Sequence, residues 1–362
     1  MRKRQCCRIA LFCLALVPVF AQQNGPAGLS ERPSSTPLAG ANRSIALDVV
    51  VTDKSGKPVS GLAQQDFTII DNKQPRKIAS FHAVNGATAA AEGPVEVIVF
   101  IDGVNTAAAG AAIELQEIQA FLKNRAAEFP GPTSIVMMGD MGVVLGAASS
   151  RDANALIAAL NQGRSGELVT GKQLGVYGTD GWQQLSLYTL DQLAGYEMAR
   201  PGRKLLIWIS PGWPLVLGDD PSEGLSTKEQ KQMFGTIVAF SDKLRQARVT
   251  LYQIDPSGLA DANQLGTSNY KQFERGVKAA SGVLVGSLGL QILADQTGGR
   301  VLNSSNDISG EISKCLADAS GYYVLSFDAP RGDGPNEYHA LDIKIDKPGL
   351  TARTRTGYYA QP

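Results

Sequence analysis

Cysteine and histidine are almost missing from this chain. Among its 362 residues there are four Cys and two His, and Cys6, Cys7 and Cys13 all crowd into the amino-terminal segment. Cys315 is left as the one thiol of the remaining chain, which argues against a disulfide frame, a thiolate metal centre or a cysteine nucleophile. It falls in the helical pattern Ile308, Ile312, Cys315, Leu316, where a small core residue is expected. An excess of one charge is lacking too. The 34 basic and 34 acidic side chains balance, and the Lys and Arg residues are scattered, so there is no electrostatic footprint for nucleic acid or an anionic membrane. No apolar run beyond the amino terminus reaches the roughly 20 residues that a membrane-spanning helix needs. Walker loops, nucleophile elbows and a post-strand Gly-x-Gly-x-x-Gly are absent. His82 and His339 fall in predicted strands rather than near a nucleophile, so the chain does not read as an enzyme.

What is present begins with export grammar. Arg2, Lys3, Arg4 and Arg8 precede an apolar run from Ile9 to Phe20, and Val19 and Ala21 supply small residues at a cleavage site. Residues 1–21 are therefore expected to be a removable signal segment, and 22–42, rich in Gly, Pro, Ser and Ala, a flexible linker. That route leads to the periplasm or the extracellular space.

In 43–85, Ile45, Leu47, Val49 and Val51 alternate as a half-buried strand, followed by strands at 67–70 and 78–84. After 94 the pattern turns to strands alternating with helices. Val95 to Asp102 is almost wholly apolar, as a central parallel strand covered on both faces should be. A helix is expected from Ala112 to Phe129, with Ile113, Leu115, Ile118, Phe121 and Leu122 inward. Strands at 134–138 and 142–146 suggest a hairpin. Helices at 151–161 and 185–199 precede the strand Lys204–Ser210, and Ser226 with Glu229 has capping-box spacing for a helix to Ala247. The strand 249–255, a helix at 288–297 stopped by Gly298 and Gly299, a short strand at 300–302 and a helix at 308–319 complete the series, in which Trp208 is expected in the core. Strands return at 322–327, 339–345 and 351–359. These readings predict an α/β domain over 94–320 with a doubly wound, mostly parallel sheet. It is inserted into a β-sandwich split between 43–85 and 321–362, since neither half closes a sheet alone.

Several spaced blocks carry a family likeness: Val49–Asp53, Asp66–Ile69, Gly202–Gly212, Leu293–Gly299, Gly321–Leu325 and Arg355–Tyr359. In these the chain resembles the von Willebrand factor type A family over roughly 44–359, and in particular the related secreted proteins of acidobacteria. The resemblance implies a protein-binding or adhesion module without catalysis. It also implies a place to look for a divalent cation: an Asp-x-Ser-x-Ser loop after the first strand, a Thr from a second loop, and an Asp after the fourth strand. Here the first loop is Asp102-Gly-Val-Asn-Thr106, with Val104 where the first Ser belongs, and Ser210 stands where the last Asp belongs. Asp102 and Thr106 remain as metal ligands, with Thr179 as a second-loop hydroxyl, so a degenerate adhesion site holding Mg²⁺ weakly or not at all is expected. No other cofactor is expected.

The candidate binding residues are thus the apex-loop residues Asp102, Asn105, Thr106, Thr179, Ser210 and Trp213, the last expected to be exposed at a crevice for a protein or peptide partner. Two alternatives stand beside this. One is an envelope assembly component that uses its β-strands for contact; the other is a secreted hydrolase, for which no nucleophile is visible. Asp219, Asp220 and Glu223 read as a solvated loop. The export reading predicts that the intact mass of the exported protein corresponds to a chain starting near Gln22; a mass retaining Met1 to Phe20 would overturn it.

Overall fold

Alternation in the first strand explains half of a sandwich. In β1 (Ser44–Thr52), Ile45, Leu47, Val49 and Val51 are buried. A strand with one apolar face must find a second apolar face to cover it. The computed structural model of the protein describes residues 43–85, 93–106, 108–125, 129–139, 142–145, 149–165, 179–213, 225–257 and 275–362; the signal and linker segments and Asp219, Asp220 and Glu223 lie outside these. Residues 43–362 cluster as one unit.

Strands β2 (Phe67–Asp71), β3 (Gln74–Arg76) and β4 (Ser80–Asn85) follow β1. At the other end of the chain lie β11 (Gly321–Asp328), β12 (Glu337–Ile345), β13 (Thr351–Arg353) and β14 (Gly357–Ala360). The two ends interleave as two four-stranded sheets, β13-β1-β11-β4 and β14-β12-β2-β3. Leu47 sits opposite Leu325 in one sheet and Ile69 opposite Ile343 in the other. Their inner faces share a core with Phe67, Tyr323, Phe327 and Tyr358. The split sandwich is therefore present.

Two details differ from expectation. The expected single strand over 351–359 is two strands in different sheets, with Thr354–Thr356 as the crossing. Gly357 permits it, because a Cβ there would meet the Tyr338 hydroxyl at 2.4 Å. Strand β3 is additional: Asn72 (φ 48) and Lys73 (φ 68) form a tight hairpin turn, but Gln-Pro-Arg carries no alternation by which to see the returning strand.

Between the two ends lies the α/β layer system. Its strands β5 (Glu96–Asp102), β6 (Thr133–Gly139), β7 (Gly142–Leu145), β8 (Lys204–Ile209), β9 (Val249–Ile254) and β10 (Val301–Leu302) form one sheet in the order β10-β9-β8-β5-β6-β7. All pairings are parallel except β6–β7, the expected hairpin. Every residue of β5 is buried, as a strand with helices on both sides requires. The helices are α1 (Ala108–Asn124), α2 (Ala153–Ser165), α3 (Thr179–Met198), α4 (Thr227–Gln246), α5 (Leu290–Gln296) and α6 (Ile308–Ala317). Leu115, Leu156 and Ile312 put α1, α2 and α6 on one face. Leu190, Phe240 and Leu293 put α3, α4 and α5 on the other, where Phe100 stacks on the buried Trp208 at 3.9 Å between ring centroids. Cys315 is a fully buried free thiol.

Helix α4 starts on its predicted box, with Ser226 N donating to Glu229 Oε2 at 2.7 Å. Helix α1 is shifted and turned relative to the reading. It ends at Asn124, Ile113 is 60% exposed, and Glu114 faces inward with Ala111, Leu115 and Ile118. Neighbouring helical positions lie about 100° apart, so only one of Ile113 and Glu114 can share the stripe of Leu115 and Ile118. Helix α3 starts six residues before the expected Leu185, at Thr179.

The sandwich and the α/β layers meet at Asp318, which is fully buried just after α6. Tyr252 donates to its Oδ2 at 2.9 Å, Arg300 lies 3.5 Å from its Oδ1, and Arg353 of β13 also bonds Oδ2. Arg203 donates to its backbone carbonyl at 2.9 Å. Removing the carboxylate takes the acceptor from two half-buried guanidinium groups, Arg300 and Arg353, and from the buried Tyr252 hydroxyl at once. Asp318→Ala is expected to lower the unfolding free energy by about 3–5 kcal/mol, read from urea denaturation; a loss below about 1 kcal/mol, the scale of a surface pair, would contradict this.

Candidate functional site

The carboxyl ends of parallel strands in an open sheet are where its connecting loops form a crevice. Here that end is made by the residues after β5 and β8, whose last residues are Asp102 and Ile209. Asp102 is completely buried and its carboxylate organises the loop. Oδ1 accepts from Val104 N at 3.1 Å and Asn105 N at 3.0 Å; Oδ2 accepts from Asn105 Nδ2 at 2.8 Å and Trp208 Nε1 at 3.0 Å. Burial pushes its pKa up, and the hydrogen bonds from Trp208, Asn105 and Ser210 oppose that. Asn105 Nδ2 also donates to Ser186 Oγ of α3 at 2.9 Å, which ties the loop to the opposite face.

Ser210 is buried too. Its Oγ accepts from Gly212 N at 3.1 Å and its carbonyl from Gln253 Nε2 at 2.6 Å. Gln291 donates to the Pro211 carbonyl at 3.1 Å and leaves no room for a side chain at Gly212, where a Cβ would sit 2.6 Å from Gln291 Nε2. The turn is therefore locked by its neighbours as well as by Pro211.

Of the expected site residues, the fold brings Asp102, Asn105 and Ser210 into one network around Trp208. Thr106 lies in the same loop; it is buried and its hydroxyl has no partner among the described residues. Thr179 is the first residue of α3, and its side chain is outside the described residues. Trp213 corrects the reading. It is 3% exposed, donates from Nε1 to the Leu288 carbonyl at 2.9 Å, and packs edge-on against Trp208. A large ring beside a β-strand core gains more from burial than from a wet crevice. The accessible parts of the apex are instead the half-buried Gly103, Val104, Asn105, Pro211 and Gly212.

These donors suit a hard divalent cation poorly. Both Asp102 oxygens are filled by four N–H donors, and Val104 packs against the apolar cluster of Trp208 and Trp213. Among the described residues no group of three or more His, Cys, Asp or Glu is arranged to hold a metal. The two histidines are accounted for in the sandwich. His82 is exposed on β4, and His339 is buried with Nδ1 2.7 Å from Asp71 Oδ1, its ring stacked on Tyr358. No helix of the described residues is long and apolar enough to cross a membrane.

One apex residue escaped the sequence reading. Glu114, fully buried on α1, has no hydrogen-bond partner among the described residues for either carboxyl oxygen. Burial, with the nearby Asp102 charge adding to it, pushes its pKa well above the usual 4.5. Burial and the neighbouring carboxylate both favour the neutral form of such a group. The one sequence signal was its place on the stripe of Ala111, Leu115 and Ile118.

No family model matches the sequence, and no curated protein matches it. Solved structures match faintly. The manganese-loaded TRAP protein of Plasmodium vivax is 9% identical, with 77% of this chain and 98% of that chain covered at a TM-score of 0.34. An aerotolerance-related membrane protein of Bacteroides fragilis, carrying multiple mutations to serines, is 11% identical over 61% and 98% at 0.33. The ArnB paralog VWA2 of Sulfolobus acidocaldarius is 11% identical over 87% and 76% at 0.29. Likenesses this faint carry no inference about what the chain does.

The buried carboxyl sets a pH dependence. A group whose folded pKa lies above its unfolded value lends stability fully below about pH 4.5 and loses it as pH rises through the folded value. Glu114→Gln keeps the shape and cannot ionise. It is expected to remove that decline and to raise the unfolding free energy at pH 7 by on the order of 1 kcal/mol. Denaturant midpoints from pH 4 to 8 check this, and a variant whose profile parallels the parent's would refute it.

Proposed function

We propose that this chain is an exported protein-binding or adhesion module that presents the loops at the carboxyl end of its parallel sheet to a protein or peptide partner. The observation that carries the reading is the Asp102 network. It fixes the Gly103–Asn105 backbone in one conformation next to the locked Pro211–Gly212 turn, with those residues accessible. A loop held before contact loses little entropy on binding. Kinship with von Willebrand factor type A proteins, including acidobacterial secreted ones, and a non-enzymatic role in the periplasm or outside the cell belong to the same reading. So does a metal-weak apex: Asp102 is engaged by N–H donors, Val104 cannot coordinate, and Ser210 offers only a neutral oxygen, so Mg²⁺ would gain little over its own hydration shell.

The edge strands of the sandwich, β4 among them, favour a second reading, in which a partner adds a strand to a sheet edge. Capture of partners from an envelope fraction by the full-length exported protein separates the two. Asn105→Ala, which cuts the link between Asp102 and Ser186, is expected to weaken capture about 10-fold or more, while His82→Glu on β4 leaves it intact; the reverse pattern would favour the edge. Chelator is expected to change capture less than about 2-fold, and calorimetry with Mg²⁺, Mn²⁺ and Ca²⁺ should show no micromolar site. Micromolar binding abolished by Asp102→Ala would overturn the metal-weak apex.

A further inference from the structure

An arginine without a counter-charge is buried where the sandwich meets the α/β layers. Arg355 is the middle residue of the Thr354–Thr356 crossing between β13 and β14 and is 8% exposed. Among the described residues its guanidinium has no hydrogen-bond or ion-pair partner. Burial is the main reason its pKa is pushed down to about 10; Arg245 adds to this, and Asp48 and Asp242 act against it from a distance. Both aspartates are already engaged. Asp48 Oδ1 and Oδ2 accept from Arg248 at 2.5 and 3.3 Å, and Asp242 accepts from Arg245 at 3.3 Å. Three guanidinium groups thus face two carboxylates.

The imbalance borders a cleft. Asp48, Arg245, Arg248, Thr297, Thr354 and Arg355 line a partly enclosed space that admits water centres over about 20 Å³. A single water needs roughly 10–15 Å³ on that measure, so the enclosed part holds about one water, and a larger oxyanion would lie at its open side against the same donors. Arg245 Nε and Thr354 Oγ1 are buried without partners among the described residues. The end of α4 does not satisfy them, because its carbonyls at Lys243 and Arg245 accept from the Ala247 and Arg248 amides. The one carboxylate lining the cleft, Asp48, is taken up by Arg248, so the Arg355 and Arg245 guanidinium groups and the Thr354 hydroxyl are left with N–H and O–H donors to offer. A guanidinium fork matches an oxyanion better than a spherical halide.

We propose that this cleft binds one small inorganic oxyanion of the sulfate or phosphate type, held by Arg355, Arg245 and Thr354. The ion would join β1, the end of α4 and the β13–β14 crossing, and so stabilise the junction by mass action. It is independent of any partner at the apex.

Calorimetric titration of the full-length protein with sodium sulfate and with sodium phosphate tests this, against sodium chloride at equal ionic strength. Because sulfate and phosphate stabilise folded proteins in general, the reading is stoichiometric heat, not a melting shift alone. One site with a millimolar or tighter Kd is expected for both oxyanions, weakened about 10-fold or more in Arg355→Gln and also weakened in Arg245→Gln. Should Arg355→Gln fail to fold, Arg245→Gln, which breaks only a partly exposed pair with Asp242, carries the comparison. Absence of saturable heat, equal binding of chloride, or unchanged affinity in the folded variants would overturn the proposal.

Discussion

The buried carboxylate of Asp318 is the constraint on which the arrangement of the two halves depends. It lies where α6 ends, and it receives Arg353 from the sandwich together with Tyr252 and Arg300 from the sheet. Charges placed this deep are tolerable only when each finds a partner. The end of α6, the interior of β9 and the end of β13 are therefore set jointly. Arg203 extends the network by bonding the Asp318 carbonyl and lying over the Tyr322 ring. A long-range polar knot of this kind cannot slip by a residue without leaving a cation bare.

Close backbone approach serves the same junction. Gly298 takes a positive φ of 83°, and a Cβ there would meet the Thr354 backbone at 2.5 Å. At Gly299 a Cβ would lie 1.7 Å from the Leu251 carbonyl oxygen. The paired glycines thus do more than stop α5. They let the segment leading into β10 run against β9 on one side and the β13–β14 crossing on the other. The Arg353 side chain completes the contact by donating to the Gly298 carbonyl at 2.9 Å.

At the opposite end of the sheet the same economy of buried charge shapes the apex. Asp102 collects four N–H donors and burial favours the neutral form of the Glu114 carboxyl, so the loop is organised around one well-bonded acceptor. Trp208 belongs to the core by its ring and to the apex by its N–H, which links the stacking on Phe100 to the position of the carboxylate. Loop shape here follows from packing beneath it.

The amino-acid sequence alone determined the fold class, the alternating order of strands and helices, the β6–β7 hairpin, the cap of α4 and the burial of Cys315 and Trp208. All of these follow from periodicity or from chemistry between near neighbours in the chain, which one sequence displays. It also indicated that the terminal strands belong together, because neither set could close a sheet. Tertiary structure decided the rest. Whether Ile113 or Glu114 faced inward depended on how α1 lay on β5; whether Trp213 was wet depended on the Leu288 carbonyl; and where the last strand broke depended on Tyr338 beside Gly357. The gatherings at Asp318 and around Arg355 unite residues more than a hundred positions apart. Long-range electrostatics of that kind has no period in the sequence, and only the folded chain brings its members within reach of one another.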